Sequence, residues 1–271
     1  MREKTNRFSA VLKPIKKLLF QALKGKVCPV IKGPLLGFCF EVNEATGLAG
    51  LISGGSSSER DTQRQIQKHC RNGSLAVDCG ANWGLHTLLL SRLVGPSGKV
   101  ISVEANPSIC KILKKNINVN KILNVEISEK ALSDRIGSIR FNQGVGATTG
   151  RIAKENEQGD MVQVPATTVD EVLRNQRADV SFVKMDIEGA ESNALMGAYK
   201  TLSISRPVFI IELHSPENDM KVGEIMIRHR YQLFRLNGEK ILKPDCPWPD
   251  PDGVHGTIVC IPEEKTAARH I

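Results

Sequence analysis

The feature that most constrains the fold is the glycine-containing segment DCGANWG at residues 78–84. The apolar residues 74–77 before it predict a short buried strand, and residues 85–93 after it predict a helix. Such a turn brings backbone N–H groups and the positive end of a helix dipole close to a ligand. Asn82 stands where dinucleotide-binding turns carry their second glycine. The segment therefore predicts a ligand-binding turn, and a nucleotide-binding turn of another kind stays open as an alternative.

Glu104 is the second informative residue. It follows the predicted strand at residues 99–103 and lies twenty positions after Gly84. An acid at about this distance from the glycine turn binds ribose hydroxyls in strand–turn–helix–strand units. The alternative is a solvated loop acid. We favour the ribose role because otherwise the whole pattern would have to arise by coincidence.

The chain has 271 residues, 41% of them hydrophobic, and its net charge of +8 is concentrated near the start. Residues 1–32 hold nine Lys/Arg and one acid, whereas the remaining residues hold 28 bases and 28 acids. A neutral body argues against a nucleic-acid partner, which would need many cations on one surface. No apolar run approaches the roughly 20 residues that span a bilayer. The seven cysteines form no C-x-x-C pair, which favours a reduced, cytoplasmic protein without a zinc site.

The basic N-terminal segment predicts an amphipathic helix that begins near Pro14. Ile15, Leu18, Leu19 and Ala22 fall on one face of that helix, with lysines elsewhere. Such a helix can lie on an anionic membrane surface, so residues 1–26 are candidates for peripheral membrane contact. Packing of the same helix on the protein core is an equally weighted alternative.

Strands and helices alternate from residue 74 onward, which predicts a doubly wound α/β fold with a mostly parallel sheet and helices on both faces. We divide the chain into a basic extension (1–32), an N-terminal cap region (33–73) and a catalytic domain (74–271). The polar stretch at 142–160 predicts a mobile lid or substrate loop. After the first two strands, the predicted strands are 125–132, 138–141 paired with 161–164 as a hairpin, 180–185, 207–213, 231–236 and 256–261. The predicted helices include one that ends near Cys70, one capped by Asn106 and Pro107, and those at 190–202 and 224–229.

Asp186 ends the central predicted strand, and Glu188 and Glu191 follow it closely. Asp186 and Glu188 precede the next helix and can face a pocket, whereas Glu191 lies in the first turn, where the helix dipole favours an acid for structural reasons. His214 ends the neighbouring strand, and an imidazole, with a pKa near ~6.5, can accept an alcohol proton. The catalytic candidates are therefore Asp186, Glu188 and His214, with Glu212 or Asp186 orienting the imidazole.

Taken together, these motifs resemble the FkbM family of S-adenosylmethionine-dependent methyltransferases over roughly residues 55–261. The resemblance rests on the 78–87 turn, Val103 to Pro107, Asn116 and Asn120, residues 131–134 with Gly137, Thr168 with Asp170, the KMDIEGAE segment at 184–191, and residues 206–207 and 211–214. Ala105 departs from the family's usual proline. The resemblance implies a seven-stranded class I methyltransferase sheet, S-adenosylmethionine as cofactor, and O-methylation of a small-molecule or glycan hydroxyl on a sugar, glycolipid or secondary metabolite.

The resemblance also implies which residues bind the cofactor. Residues at the turn lie near its methionine part, Glu104 near the ribose, and residues after the third strand near the adenine. The implied set is Asp78, Gly80, Ala81, Asn82, Gly84, Thr87, Glu104, Ala105, Ala131, Leu132, Ser133 and Asp186. For Ser133, an ordinary turn is almost equally weighted.

Other functions stay open at this point. A non-catalytic cofactor-binding or membrane-associated scaffold has the same signature, whereas an NAD-dependent dehydrogenase fits Glu104 but not Asn82 or the motif at Asp186. A divalent metal held by Asp186, Glu188 and His214 is chemically reasonable, since carboxylates with an imidazole suit one. No ligand spacing demands a metal, so none is predicted.

Overall fold

A computed structural model describes residues 17–43, 46–47, 57–144, 150–154, 157–241 and 256–267. These residues form three sheets. The strands are β1 (Val27–Pro29), β2 (Cys39–Glu41), β3 (Leu75–Cys79), β4 (Lys99–Val103), β5 (Val125–Ser128), β6 (Ala131–Leu132), β7 (Gly137–Asn142), β8 (Arg151–Ile152), β9 (Met161–Thr167), β10 (Val180–Met185), β11 (Val208–Leu213), β12 (Tyr231–Arg235), β13 (Lys240–Ile241) and β14 (Gly256–Pro262).

The main sheet has the order β13-β12-β14-β11-β10-β3-β4-β5. The five strands from β11 to β5 run parallel, and β14 lies antiparallel between β11 and β12. The predicted doubly wound, mostly parallel α/β sheet is therefore confirmed. Its strand number was wrong: eight described strands replace the expected seven, because the two-residue strand β13 pairs with β12 at the edge.

A second sheet, with the order β6-β9-β7-β8, accounts for the other strand corrections. The predicted hairpin is confirmed, since β7 and β9 pair antiparallel. The predicted strand at 125–132 is instead two strands in different sheets. It breaks after Ser128, whose carbonyl oxygen accepts a hydrogen bond from the N–H of Glu104, and the chain then pairs β6 with β9. The break carries residues 131–132 away from the main sheet.

The helices are α1 (Ser57–His69), α2 (Leu85–Val94), α3 (Pro107–Val119), α4 (Val169–Leu173), α5 (Glu191–Met196), α6 (Pro216–Arg228) and α7 (Glu263–Ala267). The predicted cap of α3 is confirmed, because the Asn106 side chain accepts a hydrogen bond from the N–H of Ser108. The helix predicted at 190–202 stops at Gly197, and a π-helical turn follows at Thr201–Ser205. The helix predicted at 224–229 begins earlier, because Pro216 occupies its first turn.

Alternating side chains of the parallel strands divide the core between the two faces of the main sheet. Val77, Val183 and Phe209 pack with α5 and α6, whereas Ala76, Phe182 and Ile210 pack with α1 to α3. Helices therefore cover both faces, as the period of two in the strands requires. Because the connections between parallel strands cross over these faces, the loops after β3, β4, β10 and β11 meet at one edge of the sheet.

The segment before α1 packs on the same core. Val30, Leu35, Phe38 and Phe40 are buried together with residues of α2, and the Phe40 and Trp83 rings make an edge-to-face contact with centroids 4.8 Å apart. The boundaries at residues 32 and 73 stay predictions.

Residues 17–23 are helical, and residues 1–16 of the predicted amphipathic segment lie outside the described part. Leu18 is 74% exposed and Leu19 45%. Within the described residues, no helix has the length and apolar character needed to cross a membrane.

Candidate active site

The glycine turn after β3 fixes one wall of the site. Gly80 has a φ of +77°, and a Cβ atom at this position would overlap the carbonyl oxygen of Asp186. The N–H groups of Gly80 and Ala81 donate to the carbonyl oxygen of Val103 over 2.9 and 3.0 Å. The turn therefore lies in direct contact with the end of β10 and is tied to the end of β4. Only glycine combines this φ with this close approach.

Glu104 lies at the end of β4 and is buried. Its Oε2 accepts a hydrogen bond from the N–H of Asn82 over 2.8 Å, and its Oε1 accepts one from the N–H of Asn106 over 2.8 Å. Burial nevertheless raises the pKa of the Glu104 carboxyl above its usual range. Each oxygen keeps further acceptor capacity, because a carboxylate offers about four lone-pair sites.

A cavity of about 630 Å³ opens between the turn and the second sheet. Of the predicted site residues, Gly80, Asn82, Glu104, Ala105, Ala131, Leu132, Asp186 and Glu188 line it. Gly150 and Ile152 of the predicted loop at 142–160 also line it, together with residues outside the predicted set, namely Val103, Asn106, Ile109, Lys130, Phe141, Ile187 and Ala190.

The other predicted cofactor residues lie behind the cavity wall. Asp78 is fully buried, and its Oδ2 accepts a 2.6 Å hydrogen bond from the hydroxyl of Thr87, which lies 3.0 Å from the Ser102 hydroxyl. Gly84 precedes α2 with a φ of +98°. These residues, with Ala81, support the turn and do not line the cavity.

Ser133 is also buried behind the wall. Its hydroxyl donates to the side chain of Asp134 over 3.0 Å, and its N–H donates to the carbonyl oxygen of Thr167. This geometry agrees with the turn alternative that the sequence analysis left open for Ser133.

Lys184 is a buried cation whose role the sequence analysis missed. Its Nζ lies 3.2 Å from Asp186 Oδ2, 3.4 Å from the carbonyl oxygen of Gly80 and 3.9 Å from Asp78 Oδ1. Burial disfavours the charge of Lys184, but Asp186 and Asp78 outweigh it and hold its pKa above its usual range. Lys184 thus links the acids at the ends of two neighbouring strands. The available signal was a lysine within the otherwise apolar strand β10.

The three catalytic candidates meet at the same edge of the sheet. His214 Nε2 lies 3.4 Å from Asp186 Oδ1 and 3.7 Å from Glu188 Oε2. The other ring nitrogen, Nδ1, lies 3.1 Å from Oε1 of Glu191, and Glu191 is fully buried. Glu191 therefore contacts the nitrogen that faces away from Asp186, which the sequence analysis did not anticipate.

These contacts control the charges of the cluster. Burial opposes the charge of His214, but hydrogen bonds to Asp186 and Glu191 outweigh it and raise the pKa of His214 to about 11. Burial also opposes ionisation of Asp186, but Lys184 and His214 hold the pKa of that carboxyl well below its usual range. For Glu188, burial and the charge of Asp186 raise the carboxyl pKa despite the attraction of His214. At neutral pH the cluster therefore contains an imidazolium beside the Asp186 carboxylate.

A groove of about 1,000 Å³ adjoins the cavity. The two share Ile152, Glu188 and Ala190, and the groove is also lined by Arg151, Ala153, Lys154, Gly189, Asn193, His214 and Ser215. Of the predicted loop at 142–160, Gly150 and Ile152 thus line the cavity, and Arg151 to Lys154 line the groove. Residues 145–149 and 155–156 lie outside the described part, and the mobility of the loop stays a prediction.

A divalent cation would meet competing charges at this cluster. Asp186, Glu212 and His214 offer ligand atoms within 4.8 Å of one another. However, Asp186 already faces Lys184 and the His214 ring, and both are cationic. Metal binding at Asp186, Glu188 and His214 is not part of our assignment.

The cavity fits the cofactor that the sequence resemblance implies. Gly80 and Asn82 of the glycine turn line the cavity, and Glu104 presents carboxyl oxygens that can accept hydrogen bonds from ribose hydroxyls. The apolar side chains of Ile109, Leu132 and Phe141 give the cavity a surface on which a purine ring can pack. The carboxyl groups of Asp186 and Glu188 also line the cavity.

Comparison with known proteins gives an independent result. The profile of the methyltransferase FkbM domain matches residues 78–236, which is more than half of the chain. A protein-L-isoaspartate O-methyltransferase of Methanothrix thermoacetophila is 33% identical over 75 residues, covering 24% of this chain. The match spans only 36% of that relative's length.

Solved structures resemble the chain at lower identity. A methyltransferase FkbM from Methylobacillus flagellatus is 17% identical with a TM-score of 0.45, covering 74% of this chain and 51% of the other. A putative rRNA-methylase from Clostridium thermocellum is 13% identical with a TM-score of 0.49, covering 76% and 95%.

Proposed function

Since the chain belongs to the FkbM family of S-adenosylmethionine-dependent methyltransferases, we propose that it methylates a hydroxyl oxygen on a sugar, glycolipid or secondary metabolite. We call the group formed by Lys184, Asp186, Glu188, Glu191 and His214 the transfer cluster. One observation carries the proposal: Glu188 of this cluster lines both the cavity and the adjoining groove. The cavity would hold the methyl donor and the groove the acceptor. The described residues that line the groove include no Phe, Tyr or Trp, which favours a polyol over a flat aromatic acceptor.

Donor binding would rest on the predicted residues that line the cavity. Glu104 would accept hydrogen bonds from the ribose hydroxyls, and Ala105, Ala131 and Leu132 would border the adenine. Asn82 and Gly80 would face the methionine part, with Asp186 balancing positive charge. When bound, S-adenosylmethionine supplies a methyl group on a positively charged sulfur.

We assign the proton acceptor to Glu188 and not to His214. A hydroxyl acceptor must lose its proton during transfer, and a positioned base contributes about 10²–10⁴ in rate. His214 already carries a proton at neutral pH, because its pKa is raised to about 11. Glu188 lines the groove and has a carboxyl pKa above that of an ordinary glutamate, which makes its carboxylate a stronger base than an ordinary glutamate. The imidazolium of His214 would then stabilise the negative charge of Asp186 and Glu188.

The backbone at Glu188 supports a functional role. Its φ of +55° is uncommon for a residue other than glycine. Such strain concentrates at functional sites, where it places a side chain that a relaxed backbone would direct elsewhere.

Product analysis tests the proposed function. The protein would be incubated with methyl-labelled S-adenosylmethionine and a host extract, and the labelled product would be identified by mass spectrometry. We expect label on an ether oxygen of a low-molecular-weight or glycan product. Label on nucleic acid or protein would contradict the acceptor class. Donor binding without any labelled product would favour the non-catalytic scaffold, and NAD binding without donor binding would favour the dehydrogenase.

We further propose that residues 1–26 contact anionic membrane surfaces. The exposure of Leu18 and Leu19 on the helical residues 17–23 supports this, because a helix packed on the core would cover its apolar side chains. Each Lys or Arg near such a surface contributes about 1 kcal/mol. Co-sedimentation with phosphatidylserine vesicles at low salt should retain the full chain and lose a variant that lacks residues 1–26. A full chain that stays in the supernatant would show that the helix has another role.

A further inference from the structure

Glu191 connects two parts of the transfer cluster that are distant in sequence. It is fully buried in the first turn of α5, and four groups donate to or face its two carboxylate oxygens. We propose that Glu191 is a positioning residue that holds Glu188 and the His214 ring in their reactive arrangement. The inference rests on the proposed function, since it concerns the groups to which that function assigns proton transfer.

The first step concerns the backbone on both sides of Glu188. Oε1 of Glu191 accepts hydrogen bonds from the N–H of Ile187 over 3.0 Å and from the N–H of Gly189 over 3.2 Å. These two residues flank Glu188 directly. A single carboxylate oxygen therefore stabilises the left-handed backbone conformation that directs Glu188 into the cavity and the groove.

The second step concerns the imidazole. The same Oε1 lies 3.1 Å from His214 Nδ1, so the Nδ1–H donates to Glu191 and Nε2 is directed at Asp186 and Glu188. A buried carboxylate on one ring nitrogen fixes the orientation of the other nitrogen toward the reacting groups.

The third step concerns what orients Glu191 itself. Its Oε2 accepts a 2.7 Å hydrogen bond from the side-chain amide of Asn218 in α6. The Oδ1 of Asn218 accepts from the N–H of Ser192, which leaves its NH₂ group directed at Glu191. The contact joins α5 to α6, so Glu191 cannot turn away from His214 without breaking it.

Several charged groups surround the imidazole. Asp186 and Glu188 face its Nε2 from the loop after β10, and Glu191 faces its Nδ1 from α5. Glu212 of β11 has a carboxyl oxygen within 4.8 Å of a ring nitrogen, Lys184 of β10 pairs with Asp186, and Asp219 of α6 accepts from the backbone N–H of His214. Only Glu191 among these contacts Nδ1. Its removal should therefore change the ring differently from the loss of any other carboxylate.

The test is Glu191→Gln, which keeps the size of the side chain and removes its charge. Titration of the His214 ring by ¹H–¹⁵N NMR, without acceptor, should show a lower pKa than in the wild type. Steady-state kinetics should show kcat reduced roughly 10²-fold, the cost of displacing a reacting group by about 1 Å, with the donor Kd changed less than threefold.

Asp170→Asn is the matched control. Asp170 also accepts three hydrogen bonds, from the N–H of Lys200 and from the N–H and hydroxyl of Thr201, but it lines neither the cavity nor the groove. It should lower thermal stability and leave the His214 titration and kcat unchanged. An E191Q protein that resembles this control would overturn the proposal.

A second variant covers the case in which E191Q does not fold. Glu191→Asp keeps the charge but shortens the side chain, and it should lose kcat with the raised His214 pKa largely retained. Wild-type kcat in a folded E191D protein would count against positioning. If the wild type methylates nothing, the proposed function fails, yet the ring titration still decides whether Glu191 holds His214.

Discussion

The two halves of the site use the same chemical group in different ways. In the half that would bind the methyl donor, here called the donor half, the buried Glu104 faces the cavity and accepts hydrogen bonds from the backbone N–H groups of Asn82 and Asn106. In the half that would transfer the methyl group, here called the transfer half, the buried Glu191 contacts the side chains of Asn218 and His214 and no ligand-binding surface. One carboxylate therefore recognises a ligand, and the other organises residues that would act on one.

This difference has a physical origin. In the donor half, the N–H groups that hold Glu104 belong to the backbone, and the conformations of the glycine turn and of the cap of α3 fix their directions. The transfer half consists of Lys184, Asp186, Glu188, Glu191 and His214, whose charges must balance one another within a partly buried space. Removing one partner from such a group leaves an uncompensated charge, which costs more than the loss of one hydrogen bond. We therefore expect substitutions in the two halves to affect different measurements.

The largest expected effect comes from Gly80→Ala, which damages both halves together. The new Cβ would overlap the carbonyl oxygen of Asp186, and Gly80 also has a positive φ. We expect donor binding to be lost in calorimetry, methyl transfer to be undetectable, and stability to fall by about 1–3 kcal/mol in urea unfolding.

Gly238→Ala separates the two causes. Gly238 has a φ of +91°, but no atom lies within 4 Å of the position that a Cβ would occupy. This variant should lose stability through backbone strain alone and keep donor affinity. If G80A bound the donor like the wild type, the turn would not form the wall between the two halves.

The next effect in size comes from Glu188→Gln, which should act on the transfer half alone. We expect kcat to fall about 10²–10⁴-fold, because the proton acceptor is removed. The Kd for S-adenosylmethionine should change less than threefold, because Asp186 lines the same wall of the cavity and remains to balance the positive charge of the methyl donor. Single-turnover kinetics with labelled donor, together with calorimetry, would measure both quantities.

The pH profile supplies the sign of this effect. A carboxylate base is active when deprotonated, so wild-type kcat should fall as the pH decreases through the Glu188 pKa, which lies above the ordinary value for glutamate. In E188Q this acid limb should vanish, whereas in His214→Gln it should persist and shift upward, because the nearby positive charge is lost. An unchanged acid limb in E188Q would move the base to another residue.

The donor half could largely be predicted from the sequence, because its determinants are local. The turn at residues 78–84, Glu104 after β4 and the cap at Asn106 all follow from short segments with known conformational preferences. The cavity wall confirms that Gly80, Asn82, Glu104, Ala131 and Leu132 come together, although their roles stay predictions. Asp78 and Thr87 belong to the same motif, but their side chains lie behind the cavity wall. A sequence motif does not reveal which way each side chain points.

The transfer half was less predictable, because no known motif relates the residues that it brings together. Glu191 and His214 are 23 positions apart with no pattern that connects them, whereas the contact of Asn82 with Glu104, 22 positions apart, follows from the spacing of a strand–turn–helix–strand unit. From the sequence, the helix dipole already explains an acid at position 191. The contact of Glu191 with the imidazole depends on the packing of α5 against α6, which the sequence does not show. The second sheet shows the same limit. The apolar residues at 125–132 predict one strand, and only the pairing of β6 with β9 reveals the break after Ser128.

The smallest of the expected effects comes from Glu104→Gln, which tests the donor half alone. In E104Q, the side-chain NH₂ group replaces a carboxylate oxygen that accepts a hydrogen bond from a backbone N–H. Two hydrogen-bond donors would then face each other in a buried position. Glu104 would also lose a charge-assisted hydrogen bond from a ribose hydroxyl of S-adenosylmethionine. Such a bond contributes about 1.5–3 kcal/mol, so the Kd for S-adenosylmethionine should rise roughly 10- to 150-fold. The kcat at saturating donor and its acid limb should stay close to wild type, because the transfer cluster is untouched. Glu126→Gln is the matched control, since Glu126 lies exposed on the neighbouring strand β5 in an ion pair with Lys99. If E104Q lowered kcat at saturation as strongly as E188Q while donor affinity remained intact, the division of the site into a donor half and a transfer half would be wrong.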